Sequence, residues 1–268
     1  MTLVQASIAN NGESIILVAD RLLTTYLGKD IPEYETEWSR PKILSRGRVG
    51  IGFAGTSLYA DMALSSLGNQ ISDFAEIVEN ISTFVKNMRK EITDNEIKRV
   101  TRIEADNFFE NEHANIPEKI KEYIYGMLME FRFDFNCIVA GFNKDGIANI
   151  YLIGDEGDKN CFTNFGMCAI GSGDTFSQIF FDQNQYDISM TEVEALLFAF
   201  KAKKWSEAPT GVGTKTDIIL LRENGSKIEI KDEDLLMRDL YKIYEKEKEI
   251  MKRERTKLLG VFKKKMEG

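Results

Sequence analysis

Apolar and polar positions alternate from the second residue of the chain. Val4, Ala6 and Ile8 fall on one face, Leu3, Gln5 and Ser7 on the other, which predicts a strand. "NNGE" then supplies a turn, because Asn-Gly accepts the positive φ of tight hairpins, and "SIILVAD" runs back as a second strand. A polar stretch, "TTYLGKDIPEYETEWSRP", precedes a second hairpin, "KILS", "RGR" and "VGIGFAG". Val49, Ile51 and Phe53 share one face of its last strand. Gly50, Gly52 and Ala54 share the other, where something must approach closely.

The period changes after Ala60. Phe74, Ile77, Val78, Ile81, Phe84, Val85 and Met88 recur at three- and four-residue steps, the signature of an amphipathic helix. Residues 93–115 are charged and weakly patterned, and read as an inserted helical excursion. "IPEKIKEYIYGMLMEF" predicts a second helix with Pro117 in its first turn. Strands return in "FNCIVAGFN" and "IANIYLIGD". "GMCAIGSGD" then leads into a helix over "TFSQIFFDQ". "SMTEVEALLFAFKAKKW" is a helix with Ser189 or Thr191 as N-cap and Glu192 or Glu194 in its first turn. "KTDIILL" and "KIEIK" close as a hairpin. Residues 232–264 form a last, charged helix with a narrow stripe of Leu236, Leu240, Ile243, Ile250 and Leu258.

Hairpin-linked strands and paired helices follow one another in blocks, so the fold class is α+β: two antiparallel sheets face to face, each with a helix pair outside. Residues 1–231 form the domain, with 93–115 as its helical insertion, and 232–268 a charged helical extension.

The 268 residues suffice for one large domain with appendages. No apolar run approaches the roughly 18 residues of a membrane span. The opening lacks a basic n-region and an apolar h-region, so a cytoplasmic protein is expected. Three cysteines, Cys137, Cys161 and Cys168, lack close metal spacing and agree with a reducing compartment. The net charge of −8 disfavours nucleic acid as a partner. His113 is the one histidine, which excludes a multi-histidine zinc site, and neither a metal nor a cofactor is expected. Any general base is then something other than imidazole.

A free α-amine titrates near 7.7–8.0 and can serve as that base. With Met1 removed, Thr2 would carry a hydroxyl nucleophile and an amine base in one residue. Asp20 ends the paired strand, and Lys42 starts the next hairpin. If the sheet brings both beside Thr2, Lys42 favours the reactive protonation state and Asp20 holds Lys42. Gly55, ending "VGIGFAG", can offer a backbone N–H to an oxyanion.

In order, "TLVQASI", "ILVADR", "KIL", "VGIGFAG", "CIVAGFNKDGIANIYLIGDEG", "CAIGSGD" and "SMTEVEALLFAFKAKKWSEAPTGVGTKTDIILL" resemble the proteasome β-type subunits, threonine-class N-terminal-nucleophile hydrolases, over Thr2 to Leu221. That resemblance implies a four-layer αββα sandwich. It assigns Thr2 as nucleophile, Asp20 and Lys42 as its charged partners, Gly55 as oxyanion donor and Ser172 as the serine near the amine. Glu207 stands where the family has aspartate and Thr210 where it has a second serine. Both swaps lengthen or branch the side chain and leave the amine geometry open. Thr24 matches the residue whose backbone pairs with an extended substrate. Phe53 falls either near the wall of the substrate pocket or in the core.

The implied activity is threonine-type peptide-bond hydrolysis through an acyl-Thr2 ester. Peptide or unfolded protein is the substrate, and a homo-oligomeric ring or partner protein is possible. Two alternatives share the fold. "MTLV" also resembles connectase, a protein ligase that passes its acyl group to another peptide's amine. The substitutions at 207 and 210, the long polar loop and the extra helices also suit a non-catalytic assembly subunit.

Overall fold

The first alternating stretch forms β1 (Val4–Ala9), which pairs antiparallel with β2 (Ser14–Asp20), Val4 opposite Ala19 and Ala9 opposite Ser14. Between them Asn10, Asn11 and Gly12 form a 3-10 turn with φ of 51°, 54° and 96°. Asn and Gly are the residues that occupy this left-handed region at least cost. The structure is a computed structural model and describes residues 2–25, 34–37, 41–68, 71–110, 116–208 and 211–267.

β3 (Leu22–Thr25) and β4 (Tyr34–Glu37) make a two-stranded ribbon. β5 (Ile43–Arg46), β6 (Val49–Gly55), β7 (Phe135–Phe142), β8 (Ala148–Ile153) and β9 (Lys159–Cys161) form one five-stranded antiparallel sheet in that order. The other sheet runs β10 (Met167–Ile170), β1, β2, β11 (Thr216–Arg222), β12 (Lys227–Ile230), also antiparallel throughout.

Between the sheets lies one apolar layer. Val4, Ala6 and Ile8 meet Ile138, Ala140 and Phe142 there, with Leu17 and Ile219 beside them. This is the face on which Gly50 and Gly52 were expected to meet a close neighbour. The neighbours are Leu17 and Val4 of the opposite sheet, which occupy the space a Cβ would need.

The outer face of the second sheet, Val49, Ile51, Phe53, Cys137 and Val139, is covered by α1 (Ser57–Ser66) and α2 (Phe74–Thr101). The outer face of the first, Ile16, Val18, Ile218 and Leu220, is covered by α5 (Asp174–Gln183) and α6 (Glu192–Trp205). The result is the four-layer αββα sandwich. Thr191 is the α6 cap that forms: its hydroxyl accepts from the Glu194 N–H, and the Glu194 carboxylate accepts from the Thr191 N–H.

The weakly patterned stretch is helical over its described part. α2 runs to Thr101, Arg102 turns the chain at φ 62°, and α3 (Ala105–Glu110) folds back. Phe108 and Ile97 pack there against Ile124 of α4 (Glu118–Glu130) in a satellite core. Pro117 caps α4 rather than lying in its first turn. His113 lies outside the described residues. α7 (Leu235–Glu267) buries Met237 and Leu240 on the α6 layer, whereas Met251 to Met266 are exposed along the helix. No helix among the described residues is long and apolar enough to cross a membrane.

The inter-sheet contact sets one expectation. Gly52→Val places methyl groups where Val4 and Ile43 already sit. Overpacking of this kind costs about 1–3 kcal/mol. A thermal melt should show a midpoint lowered by roughly 2–4 °C per kcal/mol lost.

Candidate active site

The β1–β2 ladder extends one step past its assigned strands. The Asp20 N–H donates to the Leu3 carbonyl at 3.1 Å, and the Leu3 N–H donates to Asp20 Oδ1 at 2.9 Å. Thr2 is thereby carried to the end of β2, where Asp20 is 0% exposed and Thr2 itself is buried. Thr2 Oγ1 donates to Asp20 Oδ1 at 2.8 Å. Lys42 Nζ donates to the same Oδ1 at 2.8 Å and also to Thr2 Oγ1. The Thr2 hydroxyl, the Asp20 carboxylate and the Lys42 ammonium therefore form a closed triangle.

The second carboxylate oxygen is also occupied. Asp20 Oδ2 accepts from the Leu22 N–H at 3.0 Å and from the Gly213 N–H at 2.9 Å. A buried carboxylate is tolerated only when paired and hydrogen-bonded, and here both conditions hold. Arg21, the next residue, is anchored on Asp217 of β11 by two hydrogen bonds and raised in pKa chiefly by them. This ties the end of β2 to the strand that follows the Gly213 loop.

"GSG" grips Thr2 from the β10 side. The Thr2 N–H donates to Ser172 Oγ at 3.1 Å, and the Gly173 N–H donates to the Thr2 carbonyl at 3.2 Å. Gly171 has φ of 96°, and a side chain there would run into the Thr2 carbonyl. Only glycine lets the two backbones come this close. Gly55 ends β6 with φ of 104°, and its Cβ position is filled by the Asp134 carbonyl. The Lys42 carbonyl accepts from the Phe53 N–H at 3.2 Å, which seats Lys42 beside the strand that Gly55 terminates.

Three expected residues stand apart from this cluster. Phe53 is 7% exposed and packs in the α2-side core with its ring 5.7 Å from that of Phe135, so its position is the core one, not a pocket wall. Glu207, expected beside the amine, is engaged by two lysines instead: it accepts from Lys204 Nζ at 2.7 Å and from Lys203 Nζ. The longer side chain reaches back to α6 rather than towards Thr2. Thr24 lies in β3, paired across the ribbon with Glu35. Thr210 lies outside the described residues.

One residue of the network escaped the sequence reading. Lys203 is 0% exposed and donates to the carbonyls of Gly213 at 2.7 Å and Thr214 at 2.9 Å. Burial, with the neighbouring Lys204 charge, lowers its pKa to about 8, against the pull of Glu207 and Asp20. The signal was present: Lys203 follows Ala195 and Ala199 at helical four-residue steps, which puts an ammonium on the buried face of α6.

A solved structure titled as the Anbu (Gly-1) mutant from Hyphomicrobium sp. strain MC1 is similar to this chain. The TM-score is 0.61 with 14% sequence identity, covering 94% of this chain and 96% of that one. The fold is proteasome-like. No family model and no curated protein matches the sequence. At this identity the likeness speaks for the architecture alone.

The Asp20 arrangement predicts a large stability effect. Asp20→Ala removes the acceptor shared by the Leu3, Leu22 and Gly213 N–H groups and the counter-charge of Lys42, and should cost about 3–5 kcal/mol. Urea unfolding should show the midpoint falling accordingly, with the m-value unchanged.

Proposed function

We propose that the protein is a threonine-type amidohydrolase acting on peptide bonds, with Thr2 as its N-terminal nucleophile. The observation that carries this reading is the Thr2 Oγ1–Asp20–Lys42 triangle. A hydroxyl, a carboxylate and an ammonium meet there at the end of two paired strands. A surface ion pair is at odds with an Asp20 that is 0% exposed.

The chemistry follows from the groups present. In this reading, removal of Met1 turns the Thr2 nitrogen, held by Ser172, into a free amine. Lys42 stabilises negative charge developing on Oγ1, and Asp20 fixes the ammonium. Oγ1 attacks the peptide carbonyl while its proton passes to the α-amine. The carbonyl oxygen becomes an oxyanion, for which the Gly55 N–H is the proposed donor. Collapse breaks the C–N bond, and the amine returns the proton to the leaving nitrogen. The acyl-Thr2 ester is then released by water. An extended substrate suits the β3 edge, because among the described residues β3 pairs with β4 alone.

Intact-mass measurement with a β-lactone or epoxyketone probe tests the reading. The expected species is the chain lacking Met1 and carrying one adduct at Thr2, absent in Thr2→Ala. A retained Met1, or modification elsewhere, would sink it. Two labelled peptides added together separate hydrolysis from acyl transfer: cleavage products alone fit water as acceptor, a joined product fits an amine. Lys42→Ala should slow adduct formation by about 100-fold or more, the scale for losing one charge-stabilising donor.

A further inference from the structure

The buried lysine of α6 has no part in the steps just described. Burying an ammonium is costly unless each N–H finds an acceptor. Lys203 finds three: the Glu207 carboxylate and the carbonyls of Gly213 and Thr214. Charge balance for Glu207 does not explain it, since Lys204 Nζ already donates to the same carboxylate oxygen at 2.7 Å. Nor does it fill an apolar gap, which a neutral side chain would do at lower cost.

What Lys203 holds is the segment "GVGT", residues 211–214. Two glycines in four residues give this stretch little conformational preference of its own. Within it, the Gly213 N–H is one of the two donors on Asp20 Oδ2, at 2.9 Å. Gly213 thus faces two ways: its carbonyl is held by Lys203 and its N–H is aimed at Asp20. The same carboxylate accepts, through Oδ1, from the Thr2 hydroxyl and Lys42.

We infer that Lys203 is a positioning residue for Thr2 chemistry: its ammonium clamps the Gly213 and Thr214 carbonyls, which aims the Gly213 N–H at Asp20 and so sets the carboxylate that orients Thr2 Oγ1 and Lys42. In this role Glu207 is the counter-charge of a buried lysine pair. The inference deepens the amidohydrolase reading and rests on it for its kinetic consequence, though not for the structural link to Gly213.

The test compares the full chain with Lys203→Met, which keeps the length of the side chain and removes its donors. Acylation of Thr2 by a β-lactone gives a maximal rate and a half-saturation concentration, and amide hydrogen exchange reports on Gly213. In K203M the maximal rate should fall about tenfold or more, the scale for losing a charge-assisted hydrogen bond. The half-saturation concentration should stay within about twofold, because no group along the β3 edge is altered. Gly213 exchange should quicken by a similar factor, and Lys203→Arg, which keeps a cation, should recover part of the rate. Lys203→Gln, with a shorter neutral donor, should show losses of the same sign and serves if K203M does not fold. An unchanged maximal rate, or a raised half-saturation concentration alone, overturns the positioning role while leaving the Thr2 reading intact. If the wild type forms no Thr2 adduct, the amidohydrolase reading falls. Gly213 exchange then still decides the link: faster exchange in the variant upholds it, equal exchange removes it.

Discussion

The structure turns on one buried carboxylate. Asp20 is fully removed from solvent and accepts from Thr2 Oγ1, the Leu3 N–H and Lys42 through one oxygen, and from the Leu22 and Gly213 N–H groups through the other. A carboxylate this far from solvent is tolerated only while it keeps such partners. They come from four places in the chain: the lead into β1, the start of the β3 ribbon, the lead into β5, and the loop before β11. Satisfying one side chain therefore fixes where several elements end.

Close packing of the sheets makes that convergence possible. Lys42 enters the second sheet, whereas Thr2 and Asp20 belong to the first. Gly50 and Gly52 present no side chain to the gap, so Val4 and Leu17 sit almost against the opposite backbone. The apolar layer keeps the two sheets in register, and Asp20 is removed from solvent at the end where the polar cluster forms. The ammonium and carboxylate then interact in a medium of low effective dielectric, where a fixed pair has far more influence on a neighbouring hydroxyl than in water.

The charged cluster extends further than the residues that touch Thr2. Lys203, Lys204 and Glu207 form a layer behind Gly213, and Tyr241 of α7 joins it by donating its hydroxyl to the Thr214 carbonyl at 3.2 Å. Lys204 also lies 4.3 Å from the Tyr241 ring centre. The first turns of α7 are thus packed against the back of the site, while its far half is exposed.

Local pattern in the sequence was enough for most elements and their order, though not for the β3–β4 ribbon, whose strands fall largely in the polar stretch before the second hairpin. Alternation from Val4, the glycine face of β6, the three- and four-residue steps of α2 and the capping residues of α6 are each written within a few residues, and backbone periodicity converts them directly into strand or helix. Thr2, Asp20, Lys42 and Gly55 could be singled out because each stands at a strand end, where hairpin geometry brings ends together. Contacts between distant segments were another matter. Whether Phe53 faced a cleft or the core depended on which layer covered β6, and the direction of Glu207 depended on two lysines whose partners lie in a different loop. Lys203 reads in isolation as one charge of a basic helix end. Its meaning comes from carbonyls ten and eleven residues on, brought beneath α6 only when β11 pairs with β2. Periodicity is a property of neighbours along the chain and survives in sequence, whereas burial and hydrogen-bond partners are properties of neighbours in space, and only the packed sandwich decides them.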